Sequence, residues 1–464
     1  MTTVEEPWKL DARAQLSLVA SSRLSCRELV EAHLRRIDEL DPRLGAVTIV
    51  LEEAALKAAD AADRAGQGGR LRGLPFTVKE DIDCLGSPTT HGVPALLGAL
   101  PYADSPVVAR LKAEGAIPIA RTNLSEMGLR LCTSNPLRGR TLNPYDRRLT
   151  VGGSSGGDAV AVATGMTPLG IGGDSGGSLR VPAACAGVAT LKPTTGRVPH
   201  ASSLPPEDYG LALQLMLAIG PIARSVSDLR LFLEVVSGRD TRDPRSVDVP
   251  LTGPPPRDKV AGIVTSLPGA PLGDAATQAV FRAGAALGAA GWEVEEVTLP
   301  ELTRVNDVFA NLLADELRTI AEGLEPLLSE SLLGHLDRLC RSVERRKIPR
   351  AKLYAERSRL IRQWSGFFAS YPVVIGPNLA HPIWPIDADL DPSHGIALLE
   401  RATRFITPGN ALGIPSLALP MGLSDGLPTS VLVYSDLFRE DLCLHAAELI
   451  EAEVGAASAV EPRW

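Results

Sequence analysis

Residues 149–194, LTVGGSSGGDAVAVATGMTPLGIGGDSGGSLRVPAACAGVATLKPT, decide how this chain is read. Two serines, Ser154 and Ser178, each sit among glycines in a run with few large or charged side chains. Glycine admits φ > 0 and close backbone approach, at an entropic cost that needs a reason. Successive amides of such a loop can point inward as a nest, which holds an anion or a developing oxyanion. A serine beside that nest is a nucleophile in need of a base. None of the seven histidines lies in the run, and His200, which follows it, has no triad context. Upstream, GRLRGLPFTVKEDID places Lys79 after the apolar residues Leu74, Pro75, Phe76 and Val78, which reads as a short strand ending at a lysine. Lysine acts as a base only when neutral, and burial favours that form. Ser–Lys pairs are a variant of the serine-triad logic. The three parts here are Lys79, Ser154 and Ser178.

GGSSGG followed by GDSGGSLRVPAACAGVATLKPT, with Ser178 placed 24 residues after Ser154, resembles the signature of the amidase signature family. The likeness extends to LRGLPFTVKEDID, to ARTNLSEMGLRLCTSNPLRGRTLNPYD and to FITPGNALGIPSLALPMGLSDGLPTSVLVYS, in the family's order. A Gly/Ser run alone is more often a linker; the apolar flanks here argue against that.

The resemblance implies an α/β fold: one large domain over residues 1–464, with a central mixed, twisted sheet flanked by helices on both faces. Its signature core spans about 70–240, a variable helical cover about 300–370, and a C-terminal return about 371–460. It implies an amidohydrolase in which Ser178 attacks the carbonyl. Ser154, entered through a cis peptide, relays the proton to neutral Lys79, and the backbone N–H groups of Ser175, Gly176, Gly177 and Ser178 form the oxyanion hole. No metal and no organic cofactor has a part in that scheme. Ser155 is expected to support the loop through hydrogen bonds, since one bridging hydroxyl suffices. Asp174 and Arg180 are expected to pair and brace the loop; the alternative has Arg180 meeting an acidic substrate. Gly128 aligns with a position that contacts substrate in relatives, and with Leu129 and Ser154 it forms the expected substrate-binding set. Leu129, Leu131 and Cys132 suggest an aryl or acyl group. The chain departs from the family pattern at Gly173, at Glu80 and at Cys185–Ala186, none of which removes a catalytic group.

Two other readings share the motif. One is the glutamine-hydrolysing, ammonia-producing subunit of a tRNA-dependent amidotransferase; the other is an inactive binding protein, against which the intact Lys79, Ser154 and Ser178 argue. The expected substrate is a small-molecule amide, with ester or carbamate hydrolysis open to the same attack. The resemblance also suggests a homodimer.

With 45% hydrophobic residues, the 464-residue chain can bury a large core. A net charge of −8 argues against nucleic acid or an anionic membrane as partner. Six cysteines without CxxC spacing form neither a zinc site nor a disulfide framework. The start MTTVEEPWKL lacks a signal peptide's basic and apolar regions, and no window is apolar enough to span a membrane, so a cytoplasmic location is expected. Ser25 and Glu28 read as a capping box opening a helix that stops near Pro42. Residues 44–51 read as a strand, 52–65 as a helix, and alternating short strands and helices follow from 74 to 240. KVAGIVTS and WEVEEVTL bracket a helix at 273–290, after a Pro-rich connection at 246–257. The leucine stripes of 300–370 (Leu312, Leu313, Leu317, Ile320, Leu332, Leu333, Leu336, Leu339) read as core. His200–Gly210 is poised as a rim or lid loop, and Lys192 as a turn cap.

Overall fold

The computed structural model describes residues 6–66, 68–205 and 208–464. Its frame is a sheet built in chain order from β1 (Val47–Val50), β2 (Pro75–Lys79), β3 (Ile117–Thr122), β6 (Leu169–Asp174), β7 (Ala189–Lys192), β8 (Ala218–Ala223), β9 (Val260–Ile263), β10 (Glu293–Glu296), β11 (Val373–Pro377), β12 (Ser416–Ser424) and β13 (Leu427–Tyr434). A separate two-residue ribbon pairs β4 (Ser134–Asn135) with β5 (Gly139–Arg140). The eleven strands lie in the order β1-β3-β2-β6-β8-β7-β12-β13-β11-β9-β10. Pairing is parallel for β3–β2–β6 and for β11–β9–β10, and antiparallel across the middle. This is the mixed sheet that the resemblance implied.

Both faces of the sheet are covered. Strand side chains alternate between two cores: Leu432 and Tyr434 of β13 point into one, Val431 and Val433 into the other. Helices Cys26–Leu44, Gly156–Ala163 and Arg180–Ala186 fill the first, and helices Val226–Val236, Asp274–Ala289 and Glu440–Val454 the second. Among the described residues no helix is long and apolar enough to cross a membrane.

Local sequence signals explain most boundaries. Ser25 accepts the N–H of Glu28 while the Glu28 carboxylate accepts that of Ser25, the expected capping box. The helix does not stop at Pro42 but runs to Leu44. Proline removes one intrahelical donor there, three residues before Gly45 closes the helix at φ 61°, its N–H on the Asp41 carbonyl. The Asp41 carboxylate then takes the N–H groups of Ala46 and Val47, so β1 begins at Val47 rather than at 44.

Residues 300–370 form three helices, Leu302–Leu324, Glu330–Val343 and Arg350–Ser370. Leu317, Leu328, Leu332 and Leu336 make a small core of their own. Ser329 caps the second helix and also donates to Glu126, which ties this cover to the turn Glu126–Gly128. The stripe is only partly core: Leu313, Leu317, Ile320 and Leu339 wall cavities. An amphipathic period cannot tell a core face from a cavity face, because both are apolar.

Candidate active site

Parallel neighbours β2 and β6, registered at Thr77↔Gly170 and Val78↔Ile171, bring Lys79 and Asp174 to the same edge of the sheet. Ligand sites of α/β sheets collect at such carboxyl ends. Lys79 is only 1% exposed. Its Nζ donates to Ser154 Oγ at 2.7 Å and lies 2.9 Å from Asp81 Oδ2. Ser154 follows a cis Gly153–Ser154 bond and precedes helix Gly156–Ala163. Ser178, in the loop after β6, lines the same cavity as Lys79 and Ser154, and its Oγ carries no hydrogen bond among the described residues. The structure therefore brings all three to one cavity and bonds two of them.

The loop that carries Ser178 is held from below. Asp174 accepts Arg180 Nε and Nη2, each at 2.9 Å, and Asn410 Nδ2 at 2.9 Å. Asp174 and Arg180 are both fully buried, so Arg180 pairs within the protein and does not reach a substrate. Burial alone would raise the Asp174 carboxyl, but Arg180 and the donors around it outweigh that and hold it well below the usual carboxylate range. Nearby, burial and then Arg180 push Lys192 down to about 7. Lys192 is a buried residue at the end of β7, and its Nζ donates to the Pro193 carbonyl.

Of the four N–H groups expected to form an oxyanion hole, that of Gly177 is taken: it donates to Asp174 Oδ1 at 2.8 Å. The sequence shows four consecutive amides; only the fold shows that a carboxylate three residues back takes one. The Ser155 N–H donates to the Ser178 carbonyl at 3.1 Å and its Oγ to that of Gly173 at 3.4 Å.

Two chambers meet at Ser178. The apolar one, about 990 Å³ counted to its mouth, is walled by Phe309, Leu313, Leu317 and Leu339 of the cover and by Leu131. A Cβ on Gly176 would lie 3.1 Å from Phe309 Cζ, which places that ring directly over the loop. The second chamber, about 780 Å³, is lined by Lys79, Asp81, His91, Ser154, His200 and Tyr209 together with apolar residues such as Leu213, Leu217, Ile219 and Ile320. Gly128, Leu129, Ser175 and Ser178 border both. A Cβ on Gly128 would meet Ser154 Oγ at 3.5 Å and Asp81 Oδ2 at 3.7 Å, so its bareness keeps open the space beside both groups. Asp81, His91, Tyr209 and Phe309 escaped sequence reasoning. Only Asp81 left a trace, lying two residues past Lys79 where the chain leaves the strand.

Behind Lys79, Asp158 accepts Thr77 Oγ1 at 2.9 Å and Thr122 Oγ1 at 2.6 Å. Burial pushes its carboxyl up to about 7. A raised carboxyl favours the folded state fully below its unfolded value, and that contribution is lost as pH rises through the folded one. The window is about pH 4–7, with an upper bound on the order of 4 kcal/mol. Asp158→Asn should therefore gain stability relative to wild type between those pH values, measured by urea unfolding. A difference that stays flat with pH would contradict a protonated Asp158.

The family model described as Amidase matches residues 28–444. The chain is 38% identical to an indoleacetamide hydrolase of Bradyrhizobium diazoefficiens, covering 97% of this chain and 87% of that protein. It is 31% identical to a glutamyl-tRNA(Gln) amidotransferase subunit of Thermus thermophilus, covering 96% and 97% of the two. Its fold is similar to that of 6-aminohexanoate cyclic dimer hydrolase in complex with substrate, at a TM-score of 0.83 and 27% identity over 99% of each chain. A match across nearly the whole chain, on a sheet that gathers Lys79, Ser154 and Ser178 at one edge, identifies this chain as a member of the Amidase family, an amidase acting on C–N bonds.

Proposed function

We propose that this amidase hydrolyses the carboxamide of an arylacetic or similar aryl-bearing acid through an acyl-enzyme on Ser178. The observation that carries the reading is the 2.7 Å bond from buried Lys79 Nζ to Ser154 Oγ at the edge of the cavity that Ser178 lines. Ser178 Oγ attacks the carbonyl carbon, and its proton passes to Ser154 Oγ as the Ser154 proton passes to neutral Lys79. The carbonyl oxygen becomes an oxyanion facing the N–H groups of Ser175, Gly176 and Ser178. The C–N bond breaks as Ser154 protonates the nitrogen and recovers its own proton from Lys79. Water then releases the acid by the same relay reversed. Substrate-free sites often leave catalytic hydrogen bonds open until the complex forms, in keeping with the unpaired Ser178 hydroxyl.

The chambers divide the substrate between them. Ser154 and Lys79 line only the second chamber, so the nitrogen they protonate leaves on that side. The acyl part then lies in the apolar chamber under Phe309, Leu313 and Leu339, which suits an aromatic ring such as indole or phenyl.

The test is release of the leaving group (ammonia, amine or alcohol) from a panel of arylacetamides, anilides, aryl carbamates and esters. Arylacetamides should lead by about tenfold or more in kcat/KM over straight-chain aliphatic amides, since a ring buries more apolar area. Glutamine hydrolysis that depends on an added partner would replace this reading with the amidotransferase one.

A further inference from the structure

The second chamber receives the leaving nitrogen, and it is large for that task. At about 780 Å³ counted to its mouth it holds far more than ammonia, whose bulk is close to water's, roughly 30 Å³. Leu213, Leu217, Ile219 and Ile320 make much of its wall apolar, a surface that suits methylenes. Space and wall together fit an amide whose nitrogen carries a substituent.

Among those apolar residues stands a carboxylate, Glu316, on the cover helix Leu302–Leu324. It is only 8% exposed. Its Oε1 accepts the Ala212 N–H at 3.0 Å, while its Oε2 carries no hydrogen bond among the described residues and keeps access to the chamber. No cation pairs with it among the described residues. Arg350 is near enough to feel its charge but bonds Asp315 instead, Nε to Oδ2 at 3.1 Å. The segment after Tyr209 is shaped to admit this carboxylate, since a Cβ on Gly210 would collide with both of its oxygens. Glutamate is seldom buried without a partner, so the missing cation calls for an explanation.

The other titratable groups on this wall do not supply one. Burial holds His91 and His200 below their ordinary value, so neither is a cation at neutral pH. Lys79 faces Asp81 at 2.9 Å, and at neutral pH that pair is neutral or negative whichever form Lys79 takes, never positive. Glu316 therefore leaves the chamber negative both at rest and when Lys79 is the free base. We propose that Glu316 binds a protonated amino group on the amine portion of the substrate, which makes this amidase selective for an aryl-bearing acid joined to one end of a diamine. This rests on the acyl-enzyme reading given above, in which the nitrogen leaves into this chamber. The methylenes of such an amine would lie along the apolar wall, and its ammonium would give Glu316 a charge-assisted hydrogen bond. Glu316 takes no proton in the reaction, and the C–N bond breaks as already described.

The test compares a series of N-(ω-aminoalkyl) amides of phenylacetic acid with N-alkyl amides of equal chain length, on wild type and Glu316→Gln. At the best length the cationic amide should exceed its neutral counterpart by about tenfold in kcat/KM on wild type. Glutamine keeps an oxygen for the Ala212 N–H but loses the charge, so in the variant the ratio should fall to about one. Should that variant not fold, Ile320→Lys decides. It sets a cation on the chamber wall one helical turn beyond Glu316 and should erase the ratio equally. Absence of any preference for the cationic series on wild type would overturn the proposal. So would a preference that survives substitution while both amides lose alike, which would leave Glu316 as a tie between the cover and the segment before Ala212. Failure of the underlying reading is separate, since Ser178→Ala would then still hydrolyse both series.

Discussion

Ser178→Ala should abolish amide hydrolysis, lowering kcat by on the order of 10⁴–10⁶ while leaving the protein folded. The large loss follows from the proposed route: without Oγ no acyl-enzyme forms, and the remaining N–H donors of Ser175, Gly176 and residue 178 polarise a carbonyl that nothing attacks. The small effect on folding follows from the geometry. Among the described residues the Ser178 hydroxyl carries no hydrogen bond, whereas its backbone carbonyl, which alanine keeps, accepts the Ser155 N–H at 3.1 Å. Thermal unfolding of the variant should therefore overlay that of wild type. Lys79→Met should cost nearly as much in kcat, and adding Ser178→Ala to it should cost almost nothing more, because groups that act as a unit are not additive. Full activity in Ser178→Ala would remove Ser178 as nucleophile. A double variant much slower than either single one would mean that Lys79 and Ser178 act independently.

What the sequence revealed was whatever depends on near neighbours. The Ser25 capping box, the apolar approach to Lys79 and the glycines of the nucleophile loop are all local requirements, so they survive as patterns in the letters. The motif placed Ser154 and Ser178, and the mixed sheet followed from the resemblance they carry. What stayed hidden depends on residues brought together by topology. Asp174 could be foreseen as a partner for Arg180, but its second role, taking the Gly177 N–H, needs the actual turn. Leu313 and Leu317 repeat like core residues, and only the packing of the cover above Ser175 and Gly176 turns them toward a cavity. His200 and Tyr209 meet Asp81 across more than a hundred residues of chain, a distance at which no periodicity operates. Pro42 shows the opposite error. A breaker was read as a stop, although the helix lost one bond and closed three residues later.

Arg180→Met should destabilise the fold by about 3–5 kcal/mol, the range for leaving one member of a buried ion pair uncompensated. The Asp174 carboxylate would keep the N–H groups of Gly177 and Leu179 and the Asn410 amide, at 2.8, 3.1 and 2.9 Å. Those neutral donors do not replace a bidentate guanidinium in a site with no exposure. The loss should also appear in activity, because Arg180 reaches the Ile406 carbonyl and Asn410 Oδ1 and so ties the nucleophile loop to the C-terminal return. Arg180→Lys should recover little of this, since a point charge cannot span both carboxylate oxygens and those two partners. Joining Asp174→Asn to Arg180→Met should restore part of the stability by removing the orphaned charge, but not the turnover, which depends on the loop's shape. Acid adds a sign. Asp174 titrates below its unfolded value, so the pair's contribution is complete above the ordinary carboxylate range and is lost as pH falls through the folded value. The gap in stability between wild type and Arg180→Met, read from urea midpoints, should therefore narrow from pH 7 toward pH 3. A gap below about 1 kcal/mol at pH 7 would mean that the desolvated pair is no better than a neutral pocket, and that the loop is held by its hydrogen bonds alone.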